Sequence, residues 1–358
     1  MAIAMKASMI ARIAEASASG KEALQRLTRP KGTEFVTNGR GQVLYVRTSA
    51  AVAGPRGAIV YLHGLHAHCS RIHMEVYAAE LNKLGFHFAA LDFHGHGYSQ
   101  GERGVIASHR DLLDDAASLL SALYRDPNVV SHSTESHILC PPLDPSSCPF
   151  YLMGSSMGGG VSLILAHMCC SRVDHVQADR YSAACRGCIL AAPAIAIKLP
   201  WFASRFIVGS LQTIMSWTVL PLLPSLALPG APLTAPRAAT HPVWDTDEYV
   251  AYVDADAATH HGDLYFQTLF SVLDLANHAQ DAVRQLAHHK MRVIAFMDPD
   301  DSVTDICGVR MLQSAAPIAA AGLVSVVDMP CAKHDVLTNR MDDVWQHMAA
   351  WLAPTTGA

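Results

Sequence analysis

Within the stretch FYLMGSSMGGGVSL (150–163), only the register Gly154-Ser155-Ser156-Met157-Gly158 centres a serine between glycines two positions away on either side. That spacing suits a hydroxyl nucleophile. A serine on a tight strand-to-helix turn projects its Oγ clear of the backbone, and side chains two positions away would strike the neighbouring strand and helix. Ser155 does not fit, because Met153 and Met157 occupy the corresponding places. A serine hydroxyl is weakly nucleophilic at neutral pH, so it needs an imidazole as base and a carboxylate to fix that imidazole's tautomer. His334, in PCAKHDVL just after the apolar run LVSVV (323–327), is the candidate base. His347 falls in a terminal helical pattern and reads as solvated. The acid lies in DPDDSVTD (298–305), where Asp298, Asp300, Asp301 and Asp305 compete and three must serve as turn formers or helix caps.

Charge that develops on a carbonyl oxygen needs preplaced N–H donors. The residue after the nucleophile, Met157, supplies one. The loop YLHGLHAH (61–68), in which Gly64 lets the backbone turn in close, offers the N–H of Leu65 as the other. His63 reads as a brace for that loop.

These groups must be carried by a scaffold. TEFVTNGRGQVLYVRT (33–48) reads as a hairpin around Asn38-Gly39. Apolar runs follow at 58–62, 87–91, 150–153, 188–192, 292–296 and 323–327, each trailed by a turn and a helix-compatible stretch. Near-continuous apolar strands alternating with helices predict an α/β fold, with a mostly parallel sheet covered on both faces. Ligand chemistry in such sheets gathers at the carboxyl ends of the strands, where every candidate above falls. The predicted organisation is a basic extension (1–32), a first core part (33–195) with a surface insertion at 126–149, a helical cap (196–290) and a second core part (291–358).

Half of the 358 residues are hydrophobic and 16% charged, ample for a large core, and a net charge of −5 gives no electrostatic case for nucleic acid. The nine cysteines are scattered without framework spacing, which predicts reduced thiols and an intracellular site, cytoplasmic or at a membrane surface. Cys185-Arg186-Gly187-Cys188 has no second pair to make a zinc site. Six basic residues up to Lys31 face only Glu15 and Glu22, so the N-terminal stretch reads as an organellar presequence, a membrane-surface helix or a solvated helical extension. Lys6 and Arg12 interrupt any secretory-signal core.

With Ser156, His334, the His63-Gly64 turn and the acidic loop identified, the chain resembles an α/β-hydrolase of the monoacylglycerol lipase and lysophospholipase-like branch, the serine aminopeptidase S33 type. It carries that branch's DFHGHGYSQGERG loop (92–104) and the GSSMGG form of the nucleophile turn. The likeness runs from about 57 to 346, with 126–149 and 171–186 as apparent insertions. It implies Asp301 as the acid, with Asp305 matching a second aspartate, and Arg71 as a group meeting the substrate's head. It implies hydrolysis of single-chain lipid esters, foremost monoacylglycerol to fatty acid and glycerol, through an acyl-enzyme and without a cofactor. Lysophospholipase or other carboxylesterase activity shares the same triad. A non-catalytic lipid-binding protein on this fold is the alternative of another class. The chain departs from the branch at Ala67, where an acidic residue is expected, and at Leu337, where a second histidine is usual.

Residues 206–236 carry no charge, yet prolines at 221, 224, 229, 232 and 236 break any spanning helix. A single crossing would also separate Ser156 from Asp301 and His334. The stretch reads as a lid that contacts a membrane peripherally, with Ile214 and Trp217 on its apolar surface. The histidine runs HGLHAH (63–68) and HGH (94–96) raise a metal site as a further reading. The H-x-H-x-D-H spacing is absent, and both loops are accounted for by the serine chemistry, so no metal is expected.

Overall fold

A computed structural model describes residues 4–27, 34–52, 54–124, 136–137, 143–171, 184–198, 243–286, 291–315 and 322–353, with 211–213, 215, 219–220, 223, 226 and 241 between them. Most of the predicted surface insertion, the 171–186 insertion and the uncharged run at 206–236, including Ile214 and Trp217, lie outside the described residues.

Among the described residues nine strands form one sheet: β1 (Phe35–Thr37), β2 (Val43–Ser49), β3 (Gly57–Leu62), β4 (Phe86–Leu91), β5 (Ser136–His137), β6 (Phe150–Ser155), β7 (Cys185–Ala191), β8 (Arg292–Met297) and β9 (Val324–Asp328). Their spatial order is β5-β1-β2-β4-β3-β6-β7-β8-β9, parallel from β4 to β9 and antiparallel at the β5-β1-β2-β4 edge. This is the mostly parallel α/β sheet that the alternation of apolar runs predicts, in the arrangement that the resemblance to α/β-hydrolases implies. The first hairpin turns through 38–42, around the predicted Asn38-Gly39 pair. Asn38 Oδ1 accepts the N–H groups of Arg40 and Gln42, and Gly41, not Gly39, takes the positive φ.

Helices α1 (Met5–Ala18), α2 (Lys21–Arg26), α3 (Ile72–Lys83), α4 (His109–Leu123), α5 (Met157–Cys170), α6 (Asp247–Asp254), α7 (Phe266–Leu286), α8 (Ile306–Ser314), α9 (Val336–Asn339) and α10 (Met341–Leu352) are described. Helices α4, α5, α7 and α8 pack on one another over the sheet, and α1, α3 and α10 form a second packed group. Every residue of β3 and β4 is buried, as strands covered on both faces must be. The interval read as cap, 196–290, ends in α7, which lies along α5 and donates from Gln280 to the carbonyl of Ile195 at 2.7 Å. That final helix therefore packs on the helical layer of the core.

The N-terminal helix does not stand off in solvent. Met5, Met9 and Ile13 are buried against α3, α6 and α10, and Lys6 bonds both Asp245 and the carbonyl of Asn339. Among the described residues no helix is long and apolar enough to cross a membrane.

Candidate active site

Ser156 sits between the end of β6 and the start of α5 at φ 52° and ψ −116°, a conformation a non-glycine residue enters only under constraint. The flanking glycines supply that constraint's clearance. A Cβ on Gly158 would lie 2.0 Å from the carbonyl oxygen of Leu62, and one on Gly154 would lie 2.2 Å from that of Gly158. The turn is further fixed by Ser156 N–H donating to Ala191 and by the Ser156 carbonyl accepting from Gly159 and Ala194.

The loops after β8 and β9 bring the other two groups to it. His334 Nε2 is 2.9 Å from Ser156 Oγ, and His334 Nδ1 is 2.7 Å from Asp301 Oδ2. Because Nδ1–H donates to the carboxylate, Nε2 is left to accept the serine proton. Burial pushes the Asp301 carboxyl up, but His334 and the N–H and O–H donors of Val303 and Thr304 outweigh it and hold the pKa below the usual carboxylate range. The three competing aspartates do other work. Asp298 accepts the N–H of Asp300 at 3.0 Å and that of Lys333 at 2.7 Å, tying the acid loop to the histidine loop. Asp305 caps α8 through the N–H of Cys307, and Asp300 is exposed. His347 is exposed on α10.

A cavity of about 540 Å³ opens over Ser156 and is lined by Gly64, Leu65 and Met157 as well. Met157 is the first residue of α5, so its N–H belongs to the helix's unbonded donors. Gly64 brings the β3 loop in so close that a Cβ there would sit 3.3 Å from the Ser156 Cβ. His63 braces this loop: its ring bonds the Gly64 carbonyl at 2.7 Å and accepts the Phe93 N–H at 3.0 Å.

Two walls of different character flank the serine. Arg71 lines one of them, buried, with Nη2 donating to Thr259 Oγ1 at 3.1 Å and the guanidinium 5.6 Å from the Trp244 ring centre. The Trp244 indole donates to Asp335 at 2.9 Å, and His73 bonds the Tyr249 hydroxyl at 2.7 Å. The other side carries Ala194, Ile197 and Val303, with Lys198, Ser302 and Thr304 interleaved among them, and Leu269 and Val272 line the cavity as well. The division follows from strand order: the Arg71 loop leaves β3 and the Ala194–Ile197 segment leaves β7, on opposite sides of β6. Ala67 also lines the cavity, while Leu337 is buried in the core with its carbonyl on the Tyr77 hydroxyl.

Sequence reasoning passed over several groups. Thr304 donates to Asp301, the Lys198 ammonium donates to the Asp301 carbonyl, and Lys333 Nζ donates to the carbonyls of His241 and Trp244. Only adjacence in sequence to the acid and the histidine hinted at Thr304 and Lys333. Among the described residues no three His, Cys, Asp or Glu side chains are disposed to hold a metal ion. The described cysteines, Cys185 and Cys188 included, are free thiols.

A hydrolase family described as serine aminopeptidase, S33, matches residues 53–341. Monoglyceride lipase of Mus musculus is 29% identical over 132 residues, and that of Homo sapiens 28% identical over 131; each match spans 37% of this chain and 37% of the relative's own length. Among solved structures, a monoacylglycerol lipase of Paleococcus ferrophilus aligns with a TM-score of 0.60 at 20% identity, covering 86% of this chain and 98% of that one. A soluble variant of monoglyceride lipase from Saccharomyces cerevisiae, in complex with a substrate analog, gives 0.63 at 15% identity over 91% and 95%. At such identities the structural likeness is one of fold.

Proposed function

Because the chain belongs to the serine aminopeptidase S33 family of α/β-hydrolases, we propose that it is an ester hydrolase in which Ser156, His334 and Asp301 transfer the acyl group of a single-chain lipid ester to water. The observation that carries the reading is the hydrogen-bonded chain from Ser156 Oγ through His334 to Asp301, at 2.9 and 2.7 Å. In the first step His334 Nε2 takes the serine proton as Oγ attacks the ester carbonyl, and the N–H groups of Leu65 and Met157 receive the developing negative charge. His334 returns the proton to the departing alcohol. It then draws a proton from water, which attacks the acyl-enzyme and releases the acid. Asp301 keeps the imidazole in one tautomer and offsets its transient charge.

The substrate class is supported by the two walls. An amphiphile with its acyl chain along Ile197, Val272 and Val303 and its alcohol toward Arg71 matches the division in polarity. Asp254, Asp263 and Asp335 line the cavity together with the two cations Arg71 and Lys198, a balance that favours a neutral hydroxylated head over a phosphate. Monoacylglycerol is therefore the first substrate and lysophospholipid the second. A peripheral membrane contact through the cap goes with this reading.

Fatty-acid release from a monoacylglycerol and a lysophospholipid, with an aminoacyl anilide as a peptidase control, tests it in wild type and Ser156→Ala. Faster cleavage of the monoacylglycerol and a loss of roughly 10⁴-fold or more in the variant is the expected result. Cleavage of the anilide alone would replace the ester reading with a peptidase one.

A further inference from the structure

Asp301 carries one donor more than the triad chemistry requires. Its Oδ2 accepts His334 Nδ1–H at 2.7 Å and also the Thr304 hydroxyl at 2.8 Å, while Oδ1 accepts the N–H groups of Val303 at 2.7 Å and Thr304 at 3.3 Å. The hydroxyl has a single proton and two other acceptors in range, the Ala192 carbonyl at 3.4 Å and Met297 Sδ at 3.8 Å. The carboxylate is the nearest of the three and the charged one, so it takes the proton. Thr304 is 1% exposed and its backbone is pinned. It pairs antiparallel with Ile197, flanked by Lys198 N–H on Val303 at 3.0 Å and Asp305 N–H on Ala196 at 2.8 Å.

We propose that Thr304 is a positioning residue for the general base: by donating to the same carboxylate oxygen that receives His334 Nδ1–H, its hydroxyl fixes which oxygen faces the imidazole and divides that oxygen's charge between two donors. The inference rests on the Ser156–His334–Asp301 reading above. A carboxylate turns readily about its last torsion, since sp³–sp² rotamers are broad. Donors on both oxygens, projecting from a clamped strand, remove that freedom. Without the hydroxyl, Oδ2 meets His334 alone, accepts its proton more strongly and favours the imidazolium.

Thr304→Val removes the hydroxyl at nearly constant volume, and Thr304→Ser restores it. The other charged groups around the couple keep their partners in both variants: Lys198 on the Asp301 carbonyl, Asp298 on Lys333 N–H, Asp335 on Trp244, Asp305 on the α8 terminus. The Val variant is expected to lose about tenfold in kcat with KM within about twofold, because the defect lies in the chemical step. The acidic limb of its kcat/KM profile moves to higher pH, its His334 Nδ1–H proton resonance moves downfield, and the Ser variant recovers all three. A Val variant with wild-type kcat, profile and resonance overturns the proposal, as does a loss that Thr304→Ser shares. Should the wild type turn over no ester, the functional reading falls, and the proton resonance alone still decides whether Thr304 divides the charge on Asp301.

Discussion

Ser156 holds a strained left-handed conformation that costs about 1–3 kcal/mol, and the surrounding turn pays for it through fixed hydrogen bonds and the clearance at Gly154 and Gly158. That constraint is local, which is why the proposed nucleophile could be picked out from five consecutive residues. The acid could not be. Four aspartates within eight positions share the chemistry of turn formation, and what separates them is a distance to a histidine in another loop, to which only the family resemblance pointed. Asp301 alone of the four is bonded to His334, while Asp300 faces solvent. Asp301→Asn is therefore expected to lower kcat for ester hydrolysis by about 10⁴-fold, since the amide favours the wrong imidazole tautomer. Asp300→Asn should stay within about twofold. Initial rates on any accepted ester decide it, and a dead Asp300→Asn beside an active Asp301→Asn would reverse the assignment.

At the scale of elements, the strands were legible because both faces of the sheet are covered, which turns each strand into an unbroken apolar run. Helix α1 was not. Its buried stripe is Met5, Met9 and Ile13, with Ile10 half-buried beside them, and its two basic residues, Lys6 and Arg12, are spent on the protein itself. Lys6 bridges Asp245 and Asn339, and Arg12 reaches Glu75 at 3.1 Å. No sequence pattern reports that partners for these charges lie more than sixty positions away. The apolar contacts outweigh the ionic ones, because an Arg12 side chain 42% exposed gains less than about 1 kcal/mol from its pair. Met9, with none of its surface exposed, is expected to cost about 3 kcal/mol on truncation to alanine. Urea midpoints for Met9→Ala and Arg12→Ala would test the ranking, and equal midpoints would mean that α1 is held by charge.

Across the whole molecule, the segments around the cavity bury the neutral imidazoles of His63, His66, His73 and His96. Burial is the largest influence on each: it pushes His73 and His96 down to about 4 and His66 to about 2, and holds His63 well below its ordinary value. In the unfolded chain these groups take up protons near pH 6.5. Between that pH and their native values the unfolded state binds more protons than the folded one, so stability falls as the pH is lowered through this window. Each group contributes up to about 1.4 kcal/mol per pH unit. Asp301 and Asp256 cannot mask the effect. Their native pKa values lie below the ordinary carboxylate range, so the stability they supply is complete above it and is lost only at lower pH. The urea midpoint should therefore drop clearly between pH 7 and pH 5, with the loss shared among His63, His66, His73 and His96. Replacing His66 by Asn, which does not titrate and tolerates the φ of 59° found there, should remove about one proton from that dependence. A midpoint that stays level from pH 7 to pH 5 would mean that these rings take up protons in the folded protein as readily as in the unfolded chain, and burial would then not be what keeps them neutral.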